Sequence, residues 1–462
     1  MTVRVTWVQP EDLVGHELRQ AAEDGWDARD IGRRWYAAGG APAPERAGAS
    51  EHPAPPALRA LAERLLDELA GLTAPSAADE PTDLASIRVS CPHWPTPRTD
   101  PPPVGTDRLE AAWLGRAAGC LLGKPVEKLP LAGIRALART TGNWPLSTWF
   151  TARGVPAELA AAYPWNRRSA ATSLAENIDG MPEDDDLNHP LLTVLLLQRY
   201  GPSFSTADLA RLWLDELPAG RTFTAERVAY RNLLDGIEPP DTARHRNPFR
   251  EWIGAGIRAD VHGWTHPGDP AAAAEQAHRD AVLTHTGNGV YGAMFIAAAL
   301  AEAAGGEADV HGCLAAGLRV VPPRSRFAHA VRTGIATARD EPDFDTVVDR
   351  LHAAFGTYHW VHALPNAALL AAALTHADGD FSGSVCRAVS GGWDTDSNGA
   401  TAGSLAGLLA GRPDALPERW TAPLKNRLAT SVAGFDSIGF DALAEQTHRL
   451  VPRLTHEEAL RP

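Results

Sequence analysis

Cysteine is scarce in this chain, and the four present, Cys91, Cys120, Cys313 and Cys386, lie far apart with no C-x-x-C spacing. That excludes a disulfide framework and a sequence-local zinc site, and it fits a reducing compartment. Long apolar runs are missing too. The first residues, MTVRVTWVQPEDLVGHEL, have no apolar core, and later apolar stretches are broken by Gly, Glu or His. A signal peptide and a membrane span are therefore not expected, and the reading is cytoplasmic. Positive charge is in deficit: 43 Lys and Arg against 57 Asp and Glu give a formal charge of -14 and a pI near 5.6. This argues against nucleic acid and against an anionic membrane as partners, and leaves small-molecule or protein-directed chemistry. Lysine and methionine are few, whereas Ala, Arg and Pro abound. Such a high-GC bias inflates helix propensity, so helices are assigned here from periodicity.

At 462 residues the chain has ample length to bury a core. Residues 10 to 24 place Leu13, Val14, Leu18, Ala21 and Ala22 on one face, and Leu58, Leu61, Leu65, Leu66, Leu69 and Leu72 recur at helical spacing. Between them, 39 to 56 reads as a loop. From Thr73 to Gly105 the chain is Pro-dense, which predicts no regular helix and sets the domain boundary there: 1–106 as an N-terminal helical extension with Pro-rich linkers, 107–462 as the main domain. Beyond Asp107 helical periods dominate, at 108–119, 186–199, 205–216, 225–234, 271–284, 290–304, 327–339, 344–355, 365–376 and 398–410. Almost nothing alternates with period two. The fold class is all-α, a multi-helix bundle with functional loops. The tail, 420 to 460, suggests a short extended pair around 430–439 and a last helix from Asp441.

Three stretches carry chemistry. Gly391-Gly392-Trp393-Asp394-Thr395-Asp396-Ser397-Asn398 sets two carboxylates and a hydroxyl after a glycine turn, then opens into a run with Gly399, Gly403, Gly407 and Gly411. Such hard oxygen donors suit Mg²⁺ or Mn²⁺, and equally an Asx-turn capping a helix. The second is Glu183-Asp184-Asp185-Asp186, where four adjacent carboxylates repel one another at about 4 kcal/mol per close pair for an effective dielectric near 20. Either solvent and the positive end of a helix offset that, or a divalent cation does. Successive helical residues point about 100° apart, so four cannot face one ion. Glu183, Asp184 and Asp185 are taken as the ligands, with Asp186 outside, paired or solvated. The third is Gly115 to Glu127, whose glycines repeat every four residues until Pro125 ends the helix and presents Glu127 on a loop, either as an exposed acid or toward a site.

Taken together and in order, these stretches resemble the ADP-ribosylglycohydrolase family. Its motifs G-x-x-x-G-x-P-x-E, T-D-D-T, T-H and G-G-D-T-D-[ST] correspond to 119–127, 183–186, Thr284-His285 and 391–397, and the resemblance spans roughly 107–411. It implies a compact orthogonal all-α bundle with a central cleft holding two Mg²⁺ ions, Mn²⁺ being an alternative. The implied metal ligands are Glu183, Asp184, Asp185, Asp394, Asp396 and Ser397. Glu127 is implied as the loop acid that positions substrate or water, with Asp184 or Asp185 as base. Gly256, Arg258 and His285 fall where the family contacts substrate, although the Gly-rich G-N-G-x-x-M-R pattern is not intact at 251–260. Arg258 would meet a phosphate or form a structural ion pair; His285 would face the cleft or edge the core. Glu183 replaces the family's usual threonine and Trp393 is inserted before Asp394, which marks a divergent branch.

The implied activity is Mg²⁺-dependent hydrolysis of a ribosyl C1 N- or O-glycosidic bond, in an ADP-ribosylated protein or a small ribosylated molecule. Two alternatives accompany it: a small-molecule N-ribosyl hydrolase of nucleosides or nucleotides, and a non-catalytic ADP-ribose-binding protein.

Overall fold

A computed structural model describes residues 4–44, 48–72 and 78–451. Among these residues there are twenty-two α-helices and several 3-10 turns, with β structure limited to isolated bridges. The all-α expectation holds. No helix among them is long and apolar enough to cross a membrane.

The centre is made by two helices with bare faces, Thr106–Gly123 and Thr395–Ala410. A Cβ on Gly115 would run into the Gly403 carbonyl oxygen, one on Gly119 into that of Gly399, and the reverse substitutions meet the same obstacle. Glycine is required on both sides because backbone lies directly on backbone. Packing this close brings the end of the first helix to the start of the second, where the Thr395 hydroxyl donates to the Gly123 carbonyl at 2.9 Å. The residues after Gly123 are thereby placed beside Asp394 and Asp396.

The third positioning helix is Asp185–Tyr200, with Pro190 inside it. Proline has no N–H, so the Asp186 carbonyl lacks its helical donor. The guanidinium of Arg116 supplies one, its Nε donating at 2.7 Å. A local defect thus fastens the acid-bearing helix to the glycine helix.

Most expected helices appear within a few residues of their assigned bounds, and Phe344–Phe355 coincides. Three corrections follow. The Pro-dense stretch contains a regular helix, Leu84–Ser90, started by the Asp83 side chain accepting from Ser86 N at 2.9 Å. Helices Leu131–Thr140, Val310–Arg319 and Phe381–Ser390 were not expected. The extended pair near 430–439 reduces to a bridge between Leu428 and Ile438. The loop residues 45–47, the linker residues 73–77 and the end of the tail, 452–460, lie outside the described residues.

The N-terminal helices Pro10–Glu23 and Pro56–Ala70 share an apolar cluster with Phe249, Trp252, Ala225 and Val228 of the main body.

Candidate metal centre

The loop before Asp394 turns through two left-handed residues, Gly392 (φ 79°) and Trp393 (φ 56°). Glycine takes that conformation freely; tryptophan does so only when held. Its ring stacks on His352 with centroids 4.0 Å apart and planes 5° from parallel, and His352 Nε2 is 2.8 Å from the Gly391 carbonyl. Beyond the turn, the backbone N–H of Asp394 donates to Asn366 Oδ1 at 3.1 Å. Asn398 donates to the same oxygen at 2.7 Å, and Asn366 Nδ2 is anchored on the carbonyls of Trp360 and His362 at 2.9 Å each. This buried asparagine ties down the backbone at Asp394 and the side chain of Asn398, on either side of Asp396.

Opposite stands the Glu183–Asp186 run. Asp184 caps its helix, Oδ1 accepting from Asp186 N at 2.9 Å, while Oδ2 pairs with the buried ammonium of Lys124. Lys124 Nζ also donates to the Glu183 carbonyl at 3.2 Å. Asp186 pairs with Arg116 at 3.2 Å and accepts from the Ser397 hydroxyl at 3.2 Å, so the two acid motifs meet directly. Arg116 is completely buried and also pairs with Asp260 at 2.8 Å. Ligand-type atoms of Cys120, Asp184 and Asp186 lie within 4.8 Å of one another.

The electrostatics divide these acids. Burial works to raise the Asp184 carboxyl, and Lys124 outweighs it, leaving it below the usual range. Burial pushes Asp185 well above that range, reinforced by Asp184 and Asp396. Asp394 is likewise pushed well up by burial and by Asp396, with which it shares a carboxyl contact, and Asp396 rises to about 7 through burial and Glu127. Asp186 also rises, burial and Asp184 outweighing Arg116. Among the described residues Asp185, Asp394 and Asp396 form no ion pair with a protein cation. Three hard carboxylates, two buried and one half-buried, that no protein cation pairs directly are of the chemistry that fits a divalent cation.

The remaining expected residues are distributed around this centre. Glu127 accepts from Asn166 at 2.6 Å and pairs with Lys128 at 3.1 Å, and its charge acts on Asp185, Asp394 and Asp396. The Glu183 carboxylate is engaged by Arg221 at 2.9 Å and Asn188 at 3.4 Å. Gly256 lines a small, largely apolar cavity with Trp252, Phe295, Asn366 and Asn398. Arg258 is buried and spends its five N–H donors on Glu226, Asp280 (side chain and carbonyl), the Gly254 carbonyl and Thr284, the last at 2.6 Å. It offers no free donor to a phosphate. His285 is fully buried, bonded through Nδ1 to Thr284 at 2.6 Å, and burial holds its ring neutral.

Sequence reasoning assigned no role to Lys124, Arg116, Cys120 or Asn366. One signal existed. Pro190, four residues after Asp186, announces a carbonyl in need of a donor.

The ADP-ribosylglycohydrolase family pattern matches residues 101–458. The chain belongs to the ADP-ribosylglycohydrolase family. No curated protein matches it. A solved structure, an ADP-ribosylglycohydrolase-related protein complex, is similar at 22% identity over 75% of this chain and 99% of that chain, with a TM-score of 0.46. Family membership makes the protein a hydrolase of glycosidic bonds in ADP-ribosyl compounds, and a metal-dependent one.

Proposed function

We propose that this enzyme uses Mg²⁺, with Mn²⁺ as a substitute, to hydrolyse the ribosyl C1 N- or O-glycosidic bond of an ADP-ribosylated substrate, protein or small molecule. The observation that carries this reading is that the buried Asp394 and Asp396 and the half-buried Asp185, whose charges act on one another, form no ion pair with a protein cation among the described residues. When bound, the metal would acidify water and hold ribose hydroxyls. The residues of the chain do the rest. Asp394, Asp396 and Ser397 on one helix and Asp185 on the other supply the donors. Asp185 also serves as the base that takes the proton of the attacking water. Cleavage passes through an oxocarbenium-like state, and the same carboxylates surround that developing positive charge. Glu127, on the loop after Pro125 and hydrogen-bonded to Asn166, orients substrate or water from the solvent side. Glu183, held by Arg221, and Asp184, held by Lys124, complete the rim of the metal set. Gly256 and His285 border the substrate region.

A second reading, a small-molecule N-ribosyl hydrolase of nucleosides or nucleotides, draws support from Arg258. Its donors are spent within the protein, which removes one cation from diphosphate recognition. A single screen separates the two. Purified protein with Mg²⁺, and with chelator, is assayed against ADP-ribosyl-arginine, ADP-ribosyl-serine and free nucleosides. Metal-dependent release of ADP-ribose supports the first reading, release of base from nucleosides alone supports the second, and no turnover of any of them overturns both.

A further inference from the structure

We infer that Lys124 stands where a second metal ion would sit, so that the protein holds one exchangeable divalent cation per chain. This rests on the metal-dependent reading above and revises the two ions that the resemblance implies.

The sequence contains three lysines, Lys124, Lys128 and Lys425, and the first two flank the acid centre. In a chain whose positive charge is almost all arginine, the choice of lysine at 124 is informative. An ammonium is a compact point charge with three donors, able to enter a gap between carboxylates that a planar guanidinium would not fill. Lys124 does this. It is 5% exposed, touches Asp184 Oδ2, and donates to the Glu183 carbonyl at 3.2 Å.

Among the described residues the one group of ligand-type side chains whose donor atoms all lie within 4.8 Å of one another is Cys120, Asp184 and Asp186. Both of its carboxylates already face a protein cation: Lys124 on Asp184, and Arg116 on Asp186. Asp184 is committed further, since its other oxygen caps the helix by accepting from Asp186 N at 2.9 Å. Asp186 is committed as well, since it accepts from Ser397 at 3.2 Å. Paired ions in dinuclear centres lie about 3.5–4 Å apart. A second dication drawing on Asp184 would therefore sit in the immediate neighbourhood of the ammonium and would have to expel it from a buried site. Asp185, Asp394 and Asp396 carry no ion pair among the described residues, and they are the acids left to hold a single ion.

Counting ions tests this without reference to turnover. The protein is dialysed against Mn²⁺, the bound metal is measured by atomic emission, and the spin state is read by electron paramagnetic resonance. The expected result is one Mn²⁺ per chain with the six-line spectrum of an isolated ion. Lys124→Met, which keeps the stem and removes the charge, is expected to bind two ions with an exchange-coupled spectrum. Two coupled ions in the unaltered protein would overturn the inference and leave the metal-dependent reading standing. One ion in both proteins would overturn Lys124 as the cause. No bound Mn²⁺ in the unaltered protein would overturn the inference together with the metal-dependent reading. The count in the unaltered protein decides even if Lys124→Met does not fold.

Discussion

Two buried acidic clusters occupy this molecule, and they are built differently. One is the centre between Asp185, Asp394 and Asp396. The other lies at the seam between the N-terminal helices and the main body, where Glu17, Glu23, Asp24, Glu80 and Glu251 surround Arg250 and Arg326. In the seam most carboxylates end on a fork or on a helix start. Arg326 binds Asp24 at 3.0 Å, Glu80 at 2.7 Å and Glu251 at 3.0 Å, Glu80 also accepts the Arg326 backbone N–H at 2.7 Å, and Glu251 accepts from Asn288 N at 3.2 Å. In the centre the carboxylates face one another. Density of acids therefore does not mark a ligand site; lack of donors does.

The largest expected effect breaks the seam. Arg326→Met strands Asp24, Glu80 and Glu251 as buried charges without their shared cation, a loss of about 3–5 kcal/mol by analogy with other broken buried pairs. For a chain of this size that lowers the melting temperature by roughly 10 °C. The matching change in the centre, Asp394→Asn, has the opposite sign in metal-free protein, because it removes a charge that burial and Asp396 already oppose. Thermal scans in chelator compare the two. Equal destabilisation by both variants would erase the distinction drawn between the clusters.

Next in size is the response to metal. A cation that binds only the folded state at 100 times its dissociation constant adds about 2.7 kcal/mol. Mg²⁺ is expected to raise the melting temperature of the parent and of seam variants that fold, and not that of Asp394→Asn or Asp185→Ala. Those two variants should also lose turnover. Calorimetry showing unchanged metal affinity in both would remove the centre as the metal site.

A smaller effect is the pH dependence of the seam. Burial, with Glu251 next, raises the Glu23 carboxyl to about 8, and one of its oxygens has no hydrogen-bond partner among the described residues. The unfolded carboxyl releases its proton near 4.3. Between these values the folded state binds more protons than the unfolded one, so stability falls as pH rises. The contribution is complete below about 4.3 and gone above about 8, with a slope no steeper than about 1.4 kcal/mol per pH unit for one group. Glu23→Gln is expected to flatten the curve from pH 5 to 8, measured by denaturant titration at each pH. An unaltered slope would show that Glu23 is already ionised.

Much of this architecture was legible in the sequence, and the failures have physical causes. Periodicity located Phe344–Phe355 because its apolar residues repeat cleanly. It passed over Phe381–Ser390, rich in Ser, which is held instead by the Asp380 side chain accepting from Gly383 N at 2.7 Å. It passed over Leu84–Ser90 because neighbouring prolines mask a short capped helix of about two turns. The acid motifs stood out as residue types. Their partners did not, since Lys124 meets Asp184 sixty residues later and Asn366 steers a loop twenty-eight residues on. Glu183 shows the same limit: the sequence places it in the acid run, and only the fold supplies Arg221 as its partner.

The smallest stability effect, and the sharpest separation of chemistry from folding, is expected at Glu127. Its backbone follows the 3-10 turn Lys124–Val126, and its carboxylate is partly exposed, held by Asn166 at 2.6 Å and Lys128 at 3.1 Å. Both partners are near the surface, where such contacts contribute about 0–1 kcal/mol. Its charge nevertheless reaches the centre, where it helps raise Asp396. Glu127→Gln keeps the shape and the bond to Asn166 while removing that charge. Turnover is therefore expected to fall at least tenfold, with the melting temperature within a few degrees of the parent. Steady-state rates at saturating substrate and a thermal scan on the same preparation decide the matter. Normal turnover with a large loss of thermal stability would make Glu127 a structural residue of the loop and would leave the open carboxylates of the centre to act without it.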